Sequence, residues 1–146
     1  MKKFNIINMV IFFTIFASTV YAQSEVGIIT VEVTQIDVKE SGKVKIGIYD
    51  STGFPIIGKE IVGVDLLVTK TSITHIFKEI PIGQYGIAVF QDKNNDGKLN
   101  KNLFGVPTEL YGFSKNIYGI FGPPDFGDIS FVVKEKDVIS LIINLE

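Results

Sequence analysis

From Gly27 to the C-terminus the apolar residues of this chain recur at every second position, and no segment carries a sustained apolar stripe at helical spacing. Alternation of period two places one side of an extended strand in a core and the other side in water. Ile29, Val31 and Val33 alternate with Thr30, Glu32 and Thr34, and Val44, Ile46 and Ile48 alternate with Lys43, Lys45 and Gly47. These two runs are expected to form an antiparallel pair joined by the polar loop Lys39, Glu40, Ser41 and Gly42. Tyr49 to Phe54 reads as a turn with a Pro55 stop, and Ile61 to Thr69 as a strand whose pattern is broken by Gly63. Ile73, His75 and Phe77 alternate again, Pro81 to Gly83 turns tightly into Tyr85, Ile87 and Val89, and two strands close the chain at 129–133 and 138–145. The fold class is therefore all-β, an antiparallel β-sandwich of about seven strands separated by Gly, Pro, Asn and Asp turns. The chain has no cysteine, so such a sandwich would stand without disulfides.

The N-terminus has a different character. Lys2 and Lys3 precede an apolar run from Ile6 to Phe16, which is followed by the small-residue stretch Ala17 to Ala22. This order predicts a cleavable signal peptide over residues 1–22, leaving residues 23–146 as one β-sandwich domain in a secreted or periplasmic protein. The apolar run is too short for a membrane span, which needs roughly 20 residues, so no stable span is expected after cleavage. The net charge is −2, and losing Lys2 and Lys3 makes it two units more negative. All the basic residues are lysine. An acidic chain without arginine is a poor partner for nucleic acid, whose phosphates call for a basic surface.

The interval from Asp92 to Asp128 breaks the strand rhythm and is far longer than the usual connection of about 4–6 residues. It begins with Asp92, Lys93, Asn94, Asn95, Asp96, Gly97, Lys98, Leu99 and Asn100. Asp92, Asn94 and Asp96 stand at positions 1, 3 and 5 and Gly97 at position 6 of the Ca²⁺ loop pattern D-x-[DN]-x-[DN]-G. Alternate residues of a curled loop converge on a hard cation, with the Lys98 carbonyl and Asn100 available at positions 7 and 9 and Leu99 turned inward as an anchor. Position 12 is Leu103 where the pattern has a bidentate glutamate, so Glu109, Asp125 and Asp128 are candidates to complete the shell, Glu109 first. The competing reading is a polar turn without an ion. Lys93, Lys98 and Lys101 count against high affinity.

The same interval carries Tyr111, Phe113, Tyr118, Phe121 and Phe126, which either offer stacking surfaces to a ligand or pack into a small core that pins the loop. Tyr111, Phe113, Tyr118 and Phe121 are the candidate ligand-binding residues. His75, the only histidine, is expected to be a half-buried strand residue. No catalytic residues are assigned, and zinc is disfavoured by one histidine and no cysteine.

Pro81 to Phe90 (PIGQYGIAVF), Gln91 to Ser114 (QDKNNDGKLNKNLFGVPTELYGFS) and Phe121 to Phe126 (FGPPDF) closely resemble a family of secreted bacterial proteins, domain of unknown function 2141. The resemblance covers about Ile29 to Leu145. Members of that family often carry aspartate after Gly-Lys-Leu where this chain has Asn100, which lowers the charge available to a cation. The Pro81 to Tyr85 turn is similar to the proline, glycine, tyrosine corner of transthyretin-like and collagen-adhesin B-type sandwiches, which implies an immunoglobulin-like or transthyretin-like arrangement. Neither resemblance implies an activity. The function expected is a non-enzymatic binding or structural envelope module with a Ca²⁺-type loop, recognising a glycan, a peptide or another envelope protein. The alternative is a carboxylate-dependent hydrolase using the acids of 92–128.

Overall fold

The computed structural model describes residues 25–146, so the signal peptide expected at 1–22 lies outside the described residues. Eight strands follow in order: β1 (Val26–Thr34), β2 (Lys43–Tyr49), β3 (Val62–Leu67), β4 (Ile73–Pro81), β5 (Gly83–Asp92), β6 (Tyr111–Phe113), β7 (Phe131–Val133) and β8 (Val138–Asn144). A 3₁₀ turn at Ser114–Asn116 and a one-turn helix α1 at Phe126–Ile129 are the helical elements among the described residues.

The strands form two sheets, one ordered β4-β1-β8 and the other β3-β2-β5-β6 with β7 also paired to β5. The inward residues of the alternating runs meet between them. Ile29, Val31 and Val33 of β1 lie with Phe77, Ile80 and Ile143 on one side, and Val44, Ile46, Ile48, Ile87 and Val89 on the other. Most of these side chains are wholly buried, each removing apolar surface from water at about 25 cal/mol per Å². The all-β sandwich expected from the alternation is the architecture observed.

Two expectations are corrected. β1 and β2 do not form a hairpin: β1 pairs with β4 and β8, and β2 with β3 and β5. The connection between them crosses from one sheet to the other, carrying Ile36 into the core. It is held there by Gln91, a wholly buried residue of β5 whose Oε1 accepts the Asp37 N–H at 3.0 Å and whose Nε2 donates to the Asp37 carbonyl at 2.8 Å. Crossing lets the two apolar faces oppose each other, whereas a hairpin would have left them side by side. The sheet β4-β1-β8 is also mixed, because β8 runs parallel to β1. The Pro81 to Tyr85 corner is closed by the Tyr85 hydroxyl, which donates to the Pro81 carbonyl at 3.0 Å.

Candidate functional site

The outward face of the five-stranded sheet, where alternation would put charged residues in water, is mostly small or apolar. Gly47 of β2 pairs with Gly63 of β3 on one side and Ala88 of β5 on the other, and Ala88 pairs with Phe113 of β6. One register step toward the Lys43 end, Lys45 pairs with Asp65 and Phe90, and Phe90 with Tyr111. The Tyr49 ring folds back over Gly47, and the Glu60 side chain lies against Gly63. The row of residues without bulk thus becomes the floor of a groove of about 910 Å³.

Three connections supply its walls. Residues 100–108 form an arm that doubles back on itself: Asn102 N–H donates to the Val106 carbonyl at 2.8 Å, and Thr108 N–H to the Asn100 carbonyl at 2.9 Å. The Asn102 side chain accepts the N–H groups of Phe104 and Val106 and sets the tip. Gly119 to Pro123 form the facing wall, anchored by the Tyr118 hydroxyl on the Asn144 carbonyl and by Asn116 on β8. Pro55 and Ile57 close the end beyond Tyr49, on a turn where Asp50 Oδ1 accepts the N–H groups of Thr52 and Gly53. Phe104, Ile120 and Phe121 on these walls are 91%, 90% and 103% exposed. These side chains leave a large apolar area in the open around the groove.

Charge is unevenly spread along the groove. Lys45 is committed to Asp65, with contacts of 2.6 and 2.7 Å to its two oxygens. Lys98 and Lys101 line the same end and have no carboxylate within 4.0 Å among the described residues. At the other end burial, aided by the Glu60 charge, pushes the Tyr49 phenol up to about 12.

Next to the groove lies the Asp92 loop, and its geometry is closed from within. Asp92 is 2% exposed; its Oδ1 accepts the Asp96 N–H at 3.1 Å and its Oδ2 the Gly97 N–H at 2.9 Å. Asp96 accepts from the side-chain amides of Asn100 and Asn94 and from the Lys98 N–H, which hold its carboxyl below the usual carboxylate range. Glu109, 6% exposed, reaches the loop as anticipated, but as a clamp on backbone: Oε1 accepts the Lys93 N–H and Oε2 the Asn100 N–H, both at 2.8 Å. Asn95 and Gly97 take the left-handed conformation that the tight curl requires. Among the described residues no group of three or more His, Asp or Glu side chains is placed to share an ion, and no buried side-chain nitrogen or oxygen lacks a partner.

The family model DUF2141, described as an uncharacterized protein conserved in bacteria, matches residues 31–140. The chain belongs to that family. No curated protein and no solved structure matches it. The matched span of this DUF2141 chain includes the floor of the groove, the arm, the facing wall and the Asp92 loop.

The structure places the other anticipated residues of this DUF2141 domain as follows. Tyr111 and Tyr118 are half-buried and Phe113 is 6% exposed, and the three rings meet edge to face at centroid separations of 5.8 to 6.4 Å. Phe113 also meets Phe54, which touches Phe126, so these rings are the small core that pins the long interval down. Phe121 stands apart from them in solvent. Leu99 turns in to line the groove, while Leu103, at position 12 of the loop pattern, is fully exposed. Asp125 precedes α1 and Asp128 lies within it, and neither makes a hydrogen bond to the Asp92 loop among the described residues. His75 is half-buried against the Phe77 ring at 4.6 Å.

Sequence reasoning missed Gly47, Gly63, Ala88, Tyr49, Phe104 and Ile120. A signal for Gly47 and Ala88 was present: the outward positions of β2 change from Lys45 to Gly47 and those of β5 are Gly86 and Ala88, where a solvated face would keep long polar side chains. Nothing local shows that Gly63 lies beside them.

Proposed function

We propose that this DUF2141 protein is an exported, non-enzymatic binding module that receives an apolar ligand in the groove on the outer face of its five-stranded sheet. The observation that carries this reading is the set of exposed apolar side chains, Phe104, Ile120 and Phe121, that line the same groove as Gly47, Gly63 and Ala88. Exposing them costs solubility unless they meet a partner. A ligand could be the apolar portion of a glycan, peptide or envelope protein as well as a small molecule. Export rests on the order of charged, apolar and small residues at 1–22. The non-enzymatic reading is supported by Asp92 and Glu109, whose carboxylates are each occupied by two backbone N–H groups. A hydrolase built on these acids would need one of them free to take or give a proton.

An uncharged naphthalene fluorophore whose emission rises in apolar surroundings tests the groove. The protein should enhance its emission saturably, and F104S/F121S should abolish the effect without lowering the melting temperature. Equal enhancement by both proteins would overturn the reading.

A second reading is favoured by the arrival of Glu109 at the Asp92 loop. Ca²⁺ would act there as a structural fastener, held by oxygens of Asp92, Asn94, Asp96, Asn100 and Glu109 and the Lys98 carbonyl. The donors are at present turned to N–H groups of the loop, so an ion would have to displace some of these bonds, which fits only weak binding. Melting in millimolar CaCl₂ and in chelator tests it: a rise in melting temperature with Ca²⁺ that D96N removes supports the fastener, and superimposable curves exclude it.

A further inference from the structure

Resting on the groove as a binding site, we infer that its ligand is a medium-chain carboxylic acid, lying along the strands with its carboxylate between Lys98 and Lys101. The sheet register sets the direction. Lys45 and Phe90 pair at one end of the floor and Tyr49 and Gly86 at the other, four residues along β2, a distance of about 13 Å. The loop that carries Lys98 and Lys101 leaves β5 beyond Asp92, which pairs with Lys43, so both residues stand toward the Lys45 end of the groove they line.

The charges favour one orientation. Lys45 is already neutralised by Asp65, leaving Lys98 and Lys101 as the cations at that end without an ion pair among the described residues. Asp96 feels Lys98, yet its oxygens are spent on Asn94, Asn100 and the Lys98 backbone. Glu60 at the opposite end would repel an anion and leaves that end to the apolar tail, against Pro55 and Ile57. The described residues carry more acids than lysines, so a pair of free lysines beside an apolar trough is a local reversal of the molecule's charge. Such a reversal selects an anion, and the apolar floor selects what the anion is attached to. With no arginine in the chain, the anionic head would be held by the two lysine ammonium groups through charge-assisted hydrogen bonds. The span of the floor suits a chain the size of decanoate.

Calorimetric titration at low salt with decanoate, decan-1-ol and decyltrimethylammonium tests this, using the wild-type protein, K98Q/K101Q and F104S/F121S. Decanoate should bind one to one and tightest of the three. K98Q/K101Q should weaken decanoate about tenfold and leave decanol unchanged, and F104S/F121S should weaken both. All four positions are exposed, so the variants should melt with the wild type. Decanol binding as tightly as decanoate, or decanoate indifferent to the lysines, overturns the acid while the groove stands. If no decyl compound binds, both the acid and the groove as a site for small apolar ligands fall.

Discussion

The Tyr49 ring rests on Gly47, so closely that a Cβ built on the glycine would lie 2.7 Å from Tyr49 Cε2. The glycine is therefore required by the aromatic two residues later on the same face of β2, and the pair together make the floor of the groove. Gly47→Ala should force the ring off the floor and cost about 1–3 kcal/mol, the usual range for an overpacked site. Urea denaturation checks the stability, and the same variant should lose binding of the naphthalene fluorophore.

Tyr49 also reports on the groove by titration. Burial is the larger cause of its raised value and the Glu60 charge the smaller, and both disfavour the phenolate. A folded-state value of about 12 against an ordinary 10.0 means that the contribution to stability is complete below about pH 10 and disappears as pH rises toward 12, because only the unfolded chain then loses the proton. Tyr85 and Tyr118 are raised as well, chiefly by burial, but the latest-titrating component of ultraviolet difference spectra should be absent in Tyr49→Phe, and Glu60→Gln should bring its midpoint down.

Glu109 holds the two ends of the Asp92 loop through the N–H groups of Lys93 and Asn100. Glu109→Gln keeps the shape but replaces one accepting oxygen by an NH₂ that faces a donor. A loss of about 1.5–3 kcal/mol is expected, as for hydrogen bonds to a charged group. Limited proteolysis should then cut within 93–110 faster than in the wild type, a local effect that a general loss of stability would not confine to this segment.

Gln91 ties β5 to the crossover between the sheets. Gln91→Leu has nearly the same volume but leaves the Asp37 N–H and carbonyl without their side-chain partner, which should cost about 1–3 kcal/mol. Hydrogen exchange at the Asp37 amide should accelerate in the variant beyond what the change in global stability accounts for.

Replacing Phe121, which stands wholly in solvent, with serine should leave the melting curve within the spread of ordinary surface substitutions, about 0.5 kcal/mol. Phe113→Ser, in contrast, opens the aromatic core shared with Phe54, Tyr111 and Tyr118 and should cost about 3–5 kcal/mol. Thermal melts of the two variants separate the aromatic that is free to meet a ligand from the one that holds the loop.

Strands and their buried faces were legible in the residues themselves because a strand's inward set is decided by period two, a property of neighbours in the chain. β1 and β8 follow it throughout, β2 over Lys43 to Ile46 and β4 over Ile73 to Phe77, whereas β5 is buried on both faces; the curl of the Asp92 loop likewise follows from the local order of Asp, Asn and Gly. The arrival of Glu109 could be guessed from its place on the same excursion, but not that its oxygens would clamp the N–H groups of Lys93 and Asn100. Which strands pair was not legible. Ile29 and Val44 look alike from their neighbours, and only burial of both faces at once assigns them to opposite sheets. The groove belongs wholly to that second kind of information. Gly47, Gly63 and Ala88 are far apart in the chain and become one floor through register, and Phe104 and Phe121 are brought to the same groove by loops tied to Gln91 of β5 through the Leu110 carbonyl and to Asn144 of β8 through Tyr118. Alternation is a local property and is written along the chain, whereas a surface that binds is made by residues that only cross-strand pairing brings together.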